Sequence, residues 1–277
     1  MQIQGRKVFI SGAASGIGRA TALAMARYGA RLFLTDINQT GLDQTCRMCV
    51  QDGGEVCLAR AFDVADYQAM ADFAHEVHRG YGVLDILINV AGIALFSQIE
   101  DMRHSDWEKV IKVNLWGVIH GIESFVPEMI RQGRGGHIVS VSSTAGIIGL
   151  PWHTVYAGTK HALVGISETL RYDLKKHRIN VSVICPGAVN TGMVQSAEIH
   201  ARPAATDSLR RLFVKVALAP EKVADIIMGA ILKRKFLVIT SPDIKILYFL
   251  KRHLFPLYHL IMLLLTRIMD TSLKREG

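Results

Sequence analysis

Lys7-Val8-Phe9-Ile10-Ser11-Gly12-Ala13-Ala14-Ser15-Gly16-Ile17-Gly18 sets a short apolar run against a glycine-rich turn, and a helical pattern follows from Arg19 to Tyr28. A run this short and this apolar suits a parallel strand buried on both faces. Strand, glycine turn and helix make the first βα unit of a dinucleotide-binding fold. Glycines let the backbone approach a pyrophosphate, and the helix beyond offers free N–H groups and the favourable end of its dipole. Taken alone, the same glycines could serve only tight packing.

The next strand, Arg31 to Thr35, delivers Asp36 eighteen residues after Gly18. A carboxylate there can accept both hydroxyls of an adenosine ribose and would repel a 2′-phosphate, which argues for NAD over NADP. Neither Ser15 nor Ile37-Asn38 supplies a cation for such a phosphate. The alternative reading of Asp36 is a turn or helix-capping residue. Further along, Gln39–Asp52 reads as a helix, Glu55–Phe62 as a strand, Ala65–Tyr81 as a helix and Leu84–Ile88 as a buried strand. A long helical stretch, Asp106–Arg131, carries Asn114 on an apolar face, where a buried amide is costly unless bonded.

His137 to Ser143 reads as the fifth strand, and a helix from the Tyr156 region runs to about His177. Tyr156 and Lys160 are four residues apart on that helix, so their side chains share one face. A strand ending at Ser143 and facing this helix can bring the three polar groups together. Free tyrosine titrates near pH ~10, and a nearby cation favours the phenolate. The sequence therefore predicts an acid-base device in which Lys160 lowers the Tyr156 pKa and Ser143 holds a substrate oxygen. The Tyr-x-x-x-Lys spacing alone is common on solvated helix faces.

In combination, Gly12-x-x-x-Gly16-x-Gly18, Asn89-Val90-Ala91-Gly92, Ser143, Tyr156-x-x-x-Lys160 and Pro186-Gly187 resemble the short-chain dehydrogenase/reductase family. The glycine spacing differs from the Gly-x-Gly-x-x-Gly of other Rossmann dehydrogenases. Val90 stands where the family has a second Asn, and Thr159 where it commonly has Ser. The resemblance spans Gly12 to Thr191 and implies an α/β fold: a doubly wound, parallel, seven-stranded Rossmann-type sheet in a single domain. It implies NAD bound by Gly12, Ser15, Gly16, Ile17, Gly18 and Asp36, with Asp63 and Val64 beside the adenine. Asn89, Ala91 and Gly92 would let the cofactor cross the strand ends, and Pro186, Gly187, Val189 and Thr191 would border the nicotinamide. Tyr156 and Lys160 would touch the cofactor as well as act in catalysis, with Ser143 positioning substrate and Asn114 holding the lysine through water. The implied reaction interconverts a secondary alcohol and a ketone. An enoyl reductase of the same family usually spaces its tyrosine and lysine further apart.

Half of the 277 residues are hydrophobic and a fifth charged, which excludes a disordered chain. The net charge of +8 permits an acidic partner, but the basic residues lie scattered through an apolar tail without an aromatic platform, so no nucleic acid is expected. Cys46, Cys49, Cys57 and Cys185 give no disulfide framework, and no metal site is expected. No secretory signal is read at Met1–Arg6, and a cytoplasmic location is expected, with association at a membrane surface left open.

Residues 1–240 are expected to form the NAD-binding domain, with a substrate lid over 192–219 that shows no clear strand. Pro220–Lys233 reads as a helix and Phe236–Thr240 as a seventh strand. Residues 241–277 form an apolar, basic extension. Within it, 244–269 is too interrupted to span a bilayer. It could pack on a subunit, wall the pocket, or make peripheral membrane contact as a basic amphipathic helix. The apolar lid residues, Leu150, Trp152 and the C-terminus suggest a bulky hydrophobic alcohol or ketone, such as a steroid, retinoid or other lipid; small diols remain open. A homodimer or homotetramer on the helices carrying Asn114 and Tyr156 is implied by the family. A non-catalytic NAD-binding or membrane-surface protein on the same fold is the alternative, but it would not need Asn114, Ser143, Tyr156 and Lys160 together.

Overall fold

The computed structural model describes residues 2–192, 197–200 and 217–273, and the elements named here belong to those segments. Seven strands form one parallel sheet: β1 (Lys7–Ser11), β2 (Arg31–Asp36), β3 (Glu55–Ala61), β4 (Ile86–Asn89), β6 (Gly136–Val141), β7 (Ile179–Cys185) and β9 (Leu237–Ile239), in the order β3-β2-β1-β4-β6-β7-β9. The chain winds outward from β1 to β3, then returns to lay β4 on the other side of β1. That reversal opens a crevice between the C-terminal ends of β1 and β4.

Alternation along the strands divides the core in two. Val8, Ile10, Leu32, Leu34, Ile86 and Ile88 pack with α1 (Gly16–Arg27), α2 (Gln39–Gln51) and α7 (Pro220–Lys233). Phe9, Phe33, Leu87, Ile138 and Val181 pack with α3 (Tyr67–Tyr81) and α5 (Gly117–Gln132). α6 (Thr154–Asp173) lies against β7. Asn38 and Asp66 cap α2 and α3 by accepting from Gly41 N and Ala69 N, at 3.0 and 3.1 Å.

The expected long helix is present in three parts. α4 (His104–Ile111) and α5 are joined without a break by a π-helical turn, Lys112–Trp116, that carries Asn114. The lid region corrects the sequence expectation: β8 (Glu198–Ile199) pairs in parallel with β5 (Leu95–Phe96). Residues 193–196 and 201–216 of the expected lid, which include Met193, Val194, Leu212 and Phe213, lie outside the described residues. The apolar tail is two helices, α8 (Pro242–His253) and α9 (Phe255–Leu273), parted at Leu254 with Pro256 opening the second. No helix among the described residues is long and apolar enough to cross a membrane.

Candidate active site

The expected site residues gather where the strands end. Gly12 follows β1, Asp36 closes β2, Asp63 follows β3, Asn89 closes β4, Ser143 follows β6 and Pro186 follows β7. Ser11 Oγ, overlooked in the sequence, ties the two sides of the crevice by accepting from Val90 N at 3.1 Å and Ala91 N at 3.3 Å.

Close backbone approach explains the glycines here. A Cβ on Gly18 would stand 1.9 Å from Gly12 O, and one on Gly12 would stand 2.9 Å from Ala91 Cα. Gly16, at φ +51°, abuts Thr191: its Cβ would meet Thr191 Cγ2 at 2.8 Å. Thus the first and last expected cofactor segments touch. Ser15 caps α1 in extended conformation without using its side chain, and the first turn holds no acidic residue. That leaves an anion-compatible helix end.

Asp36 serves as the turn residue its alternative reading foresaw. Its Oδ2 accepts from Ala14 N and its Oδ1 from Asn38 N, both at 2.9 Å. A carboxylate has room for about four bonds, so these two leave capacity for a ribose. Arg19 offers no phosphate clamp, because its guanidinium is bonded to Ala14 O, to Gly41 O at 3.2 Å and to Thr45 Oγ1 at 3.0 Å.

Asp63 Oδ1 accepts from Ala65 N at 2.9 Å, and Val64 is buried where a Cβ on Gly117 would reach it at 2.6 Å. Asn89 departs from the rest. Its amide lies against Gly121 of α5, buried and with no hydrogen-bond partner among the described residues. Beyond β7, Pro186 O accepts from Thr144 N at 2.8 Å, Gly187 N donates to Thr240 Oγ1 at 3.2 Å, and Val189 forms a bridge with Leu218.

β6 stops at Val141, two residues short of the expected strand end, and Ser143 caps the short 3-10 turn Thr144–Gly146 by accepting from Ala145 N at 3.1 Å. Its hydroxyl also lies near enough to the Tyr156 hydroxyl to favour the phenolate, against the effect of burial. Two bonds clip α6 to this turn: Lys160 Nζ donates to Val141 O at 3.0 Å, and Ser142 Oγ donates to Lys160 O at 2.8 Å. Gly146 permits the approach, since a Cβ there would stand 2.2 Å from Ser142 Oγ. The Lys160 ammonium group lies 5.7 Å from the centroid of the Tyr156 ring.

One electrostatic expectation is corrected. Tyr156 is held above the ordinary tyrosine value, because burial outweighs the opposing influence of the Ser143 hydroxyl. Burial also brings Lys160, only 3% exposed, down to about 8. At about 8 the Lys160 amine is still mostly protonated at neutral pH, so the raised Tyr156 value reflects burial of the phenol and not a discharged lysine.

Asn114, fully buried, resolves its cost by pairing with the backbone of Ile93: Oδ1 accepts from Ile93 N at 2.8 Å and Nδ2 donates to Ile93 O at 2.9 Å. Its Nδ2 also lies 3.5 Å from Thr159 Oγ1. A Cβ on Gly92 would be 3.1 Å from Asn114 Oδ1 and 3.5 Å from Lys160 Nζ, so Gly92 lies between the two.

The sequence overlooked the wall beside Tyr156. Phe96 and His153 stack edge to face at 4.6 Å, with ring centroids 6.5 and 6.2 Å from that of Tyr156. His153 sits three residues before Tyr156, the one signal available. Burial lowers its pKa to about 4, so it is neutral there.

The short chain dehydrogenase family matches residues 6–201, most of the chain. The protein belongs to that family. It is 34% identical over 252 residues to the probable oxidoreductase EphD of Mycobacterium tuberculosis, covering 88% of this chain but 42% of the relative. The chain thus spans less than half the length of that relative. It is 36% identical to the 3-oxoacyl-[acyl-carrier-protein] reductase FabG of Thermotoga maritima, covering 82% of this chain and 91% of FabG. Among solved structures, a short-chain dehydrogenase/reductase from Burkholderia phymatum in complex with NAD superposes with a TM-score of 0.86 at 30% identity, covering 93% of this chain and 96% of that one.

Proposed function

We propose that this chain interconverts a secondary alcohol and its ketone with NAD(H), and that the natural substrate is bulky and hydrophobic. The observation that carries the reading is the buried Lys160 amine 5.7 Å from the centroid of the Tyr156 ring, with the Ser143 hydroxyl near enough to that phenol to favour its ionised form. Two hydroxyls and an amine so arranged can bind an alcohol oxygen and move its proton.

Residues at the crevice fit a dinucleotide. The α1 N-terminus with Gly12, Ser15, Gly16, Ile17 and Gly18 would hold the pyrophosphate, and Asp36 the adenosine ribose. Asp63 and Val64 would border the adenine, with Asn89, Ala91 and Gly92 along the strand ends. Lys160 and Tyr156 would reach the nicotinamide ribose, and Pro186, Gly187, Val189 and Thr191 the nicotinamide. Asp36, without a free cation nearby, favours NAD. Bound there, NAD supplies the hydride acceptor and NADH the donor.

In reduction, Ser143 Oγ orients the carbonyl oxygen and the Tyr156 hydroxyl gives it a proton. In oxidation Tyr156 takes that proton back, so its raised pKa makes oxidation quicken as pH rises. Asn114 acts through position, fixing the backbone of Ile93 next to Gly92 and Lys160. Phe96 and the neutral His153 favour an apolar substrate by excluding water from the Tyr156 wall. A homodimer or homotetramer through α5 and α6 is part of this reading.

The test is a panel of secondary alcohols graded from small diols to steroids and retinoids, each assayed for reduction of NAD and of NADP. Saturable NAD reduction by the bulky members is expected, with KM falling as apolar size grows. Turnover confined to small diols would remove the substrate class, and equal or better turnover with NADP would remove the cofactor preference.

A further inference from the structure

The inner and outer faces of α8–α9 differ sharply. Inward, Ile148, Tyr258 and Met262 are buried together, with Leu150, Leu247, Leu250 and Leu265 packed against them. Gly149 N donates to Tyr258 Oη at 3.0 Å, Lys251 Nζ donates to Ile147 O at 2.8 Å, and Trp152 Nε1 donates to Asp270 Oδ1 at 3.1 Å. The tail is therefore fastened to its own chain along the 147–152 loop, which runs into the Tyr156 helix.

Outward, Ile246, Phe249, Leu254, Phe255, Leu257, Leu260, Leu263, Leu264 and Ile268 are 48–63% exposed. On α9 the positions 257, 260, 264 and 268 recur at helical spacing, so they form one stripe. Isolated exposed leucines are ordinary, but a contiguous apolar patch marks an interaction surface.

Charge decides the occupant. Lys245, Arg252 and Arg267 are exposed on the same two helices, with His253 and His259. Of the two carboxylates there, Asp243 is exposed at the start of α8, while Asp270 faces inward and also accepts from Gln98 Nε2 at 3.0 Å. An apolar stripe edged by cations fits the boundary between acyl chains and anionic headgroups. It fits a second copy of the chain less well, because a twofold contact through this patch would bring like charges together.

We propose that α8–α9 is a monotopic docking surface for an anionic lipid bilayer, lying in the interface without crossing it. The surface stands on the helix pair alone. Its use, presenting the 147–152 loop to an apolar substrate dissolved in the membrane, rests on the reaction proposed above.

The test is co-sedimentation of the full chain with sucrose-loaded vesicles of phosphatidylcholine, with and without about 30% phosphatidylglycerol. Strong binding to the anionic vesicles is expected, falling in roughly 0.5 M NaCl as the charges are screened. The Leu260→Asp/Leu264→Asp double variant should bind at least about tenfold less, and Lys245→Glu or Arg252→Glu about fivefold less per residue. Unfolding transitions should match the wild type, since these side chains point outward.

Vesicle binding is read without turnover, so its failure is separate from failure of the proposed reaction. Absence of the wild type from anionic vesicles, or equal binding by the double variant, would overturn the proposal. So would a wild-type dimer that Leu260→Asp/Leu264→Asp converts to monomer in sedimentation equilibrium, because the stripe would then belong to a second copy.

Discussion

Trp152 and Asp270, separated by 118 residues, are joined by an indole N–H to carboxylate bond of 3.1 Å. Trp152 also has φ +64°, a left-handed conformation that bulky residues rarely adopt. It is held there from two sides: Asp270 accepts a hydrogen bond from its indole N–H, and its carbonyl accepts from Ser97 N at 2.9 Å. Asp270→Ala removes one hold and leaves the buried indole N–H without its partner. The expected cost is about 1–3 kcal/mol of stability, read by urea unfolding, with a larger rise in KM than fall in kcat. Unchanged stability and unchanged KM would show that the bond does not hold the loop.

Gly18 and Gly165 should respond oppositely to the same substitution. A Cβ on Gly18 would meet the backbone of Gly12 at 1.9 Å, whereas Gly165, exposed within α6, has open space around it. Gly18→Ala should cost roughly 3 kcal/mol and abolish NADH fluorescence enhancement. Gly165→Ala should add about 0.5–1 kcal/mol through the unfolded chain and helix propensity, with NADH binding unchanged. Thermal unfolding of both variants checks the pair.

Acid should unfold the protein through two buried histidines. Burial lowers both His153 and His137 to about 4, His137 with help from the charge of Arg234. Between about pH 6.5 and 4 the unfolded chain binds protons that the folded chain refuses, so stability falls as pH falls. Each shift corresponds to roughly 3 kcal/mol at full effect. In urea titrations at pH 7 and pH 4.5, His153→Gln should flatten the loss of stability relative to wild type. An identical pH dependence would show that His153 is protonated in the folded state.

Asp36→Ala tests cofactor choice. The carboxylate fixes Ala14 N and Asn38 N and, in the proposed function, binds the adenosine ribose. Its loss should lower kcat/KM for NAD by about tenfold to a hundredfold and narrow the preference over NADP. Steady-state kinetics with both nucleotides decide it. A retained preference would mean that discrimination lies elsewhere.

Much of this site was legible because local patterns carry it. The apolar runs gave β1, β2, β4 and β6 within a few residues, and the glycine spacing marked a turn whose crowding the structure explains. What escaped depends on contacts distant in sequence. β5 and β8 are two residues each, too short for any alternation, and they exist only because Leu95–Phe96 and Glu198–Ile199 meet. The apolar tail gave composition without direction. Asp270, the sole inward carboxylate among its described residues, was a signal, since one acid in an apolar helix needs a partner. The pKa of Tyr156 also escaped, because sequence spacing supplied the neighbouring cation but not the burial that outweighs it.

The most direct measurement is the turnover and NADH affinity of Tyr156→Phe, with a hydrophobic secondary alcohol or ketone that the wild type converts. Removing one oxygen preserves the ring packed near Phe96 and Lys160 while deleting the hydroxyl that Ser143 influences. The account predicts a fall in kcat of at least about a thousandfold, with the NADH dissociation constant within a few-fold of wild type. Turnover like that of the wild type, with NADH bound equally well, would contradict it.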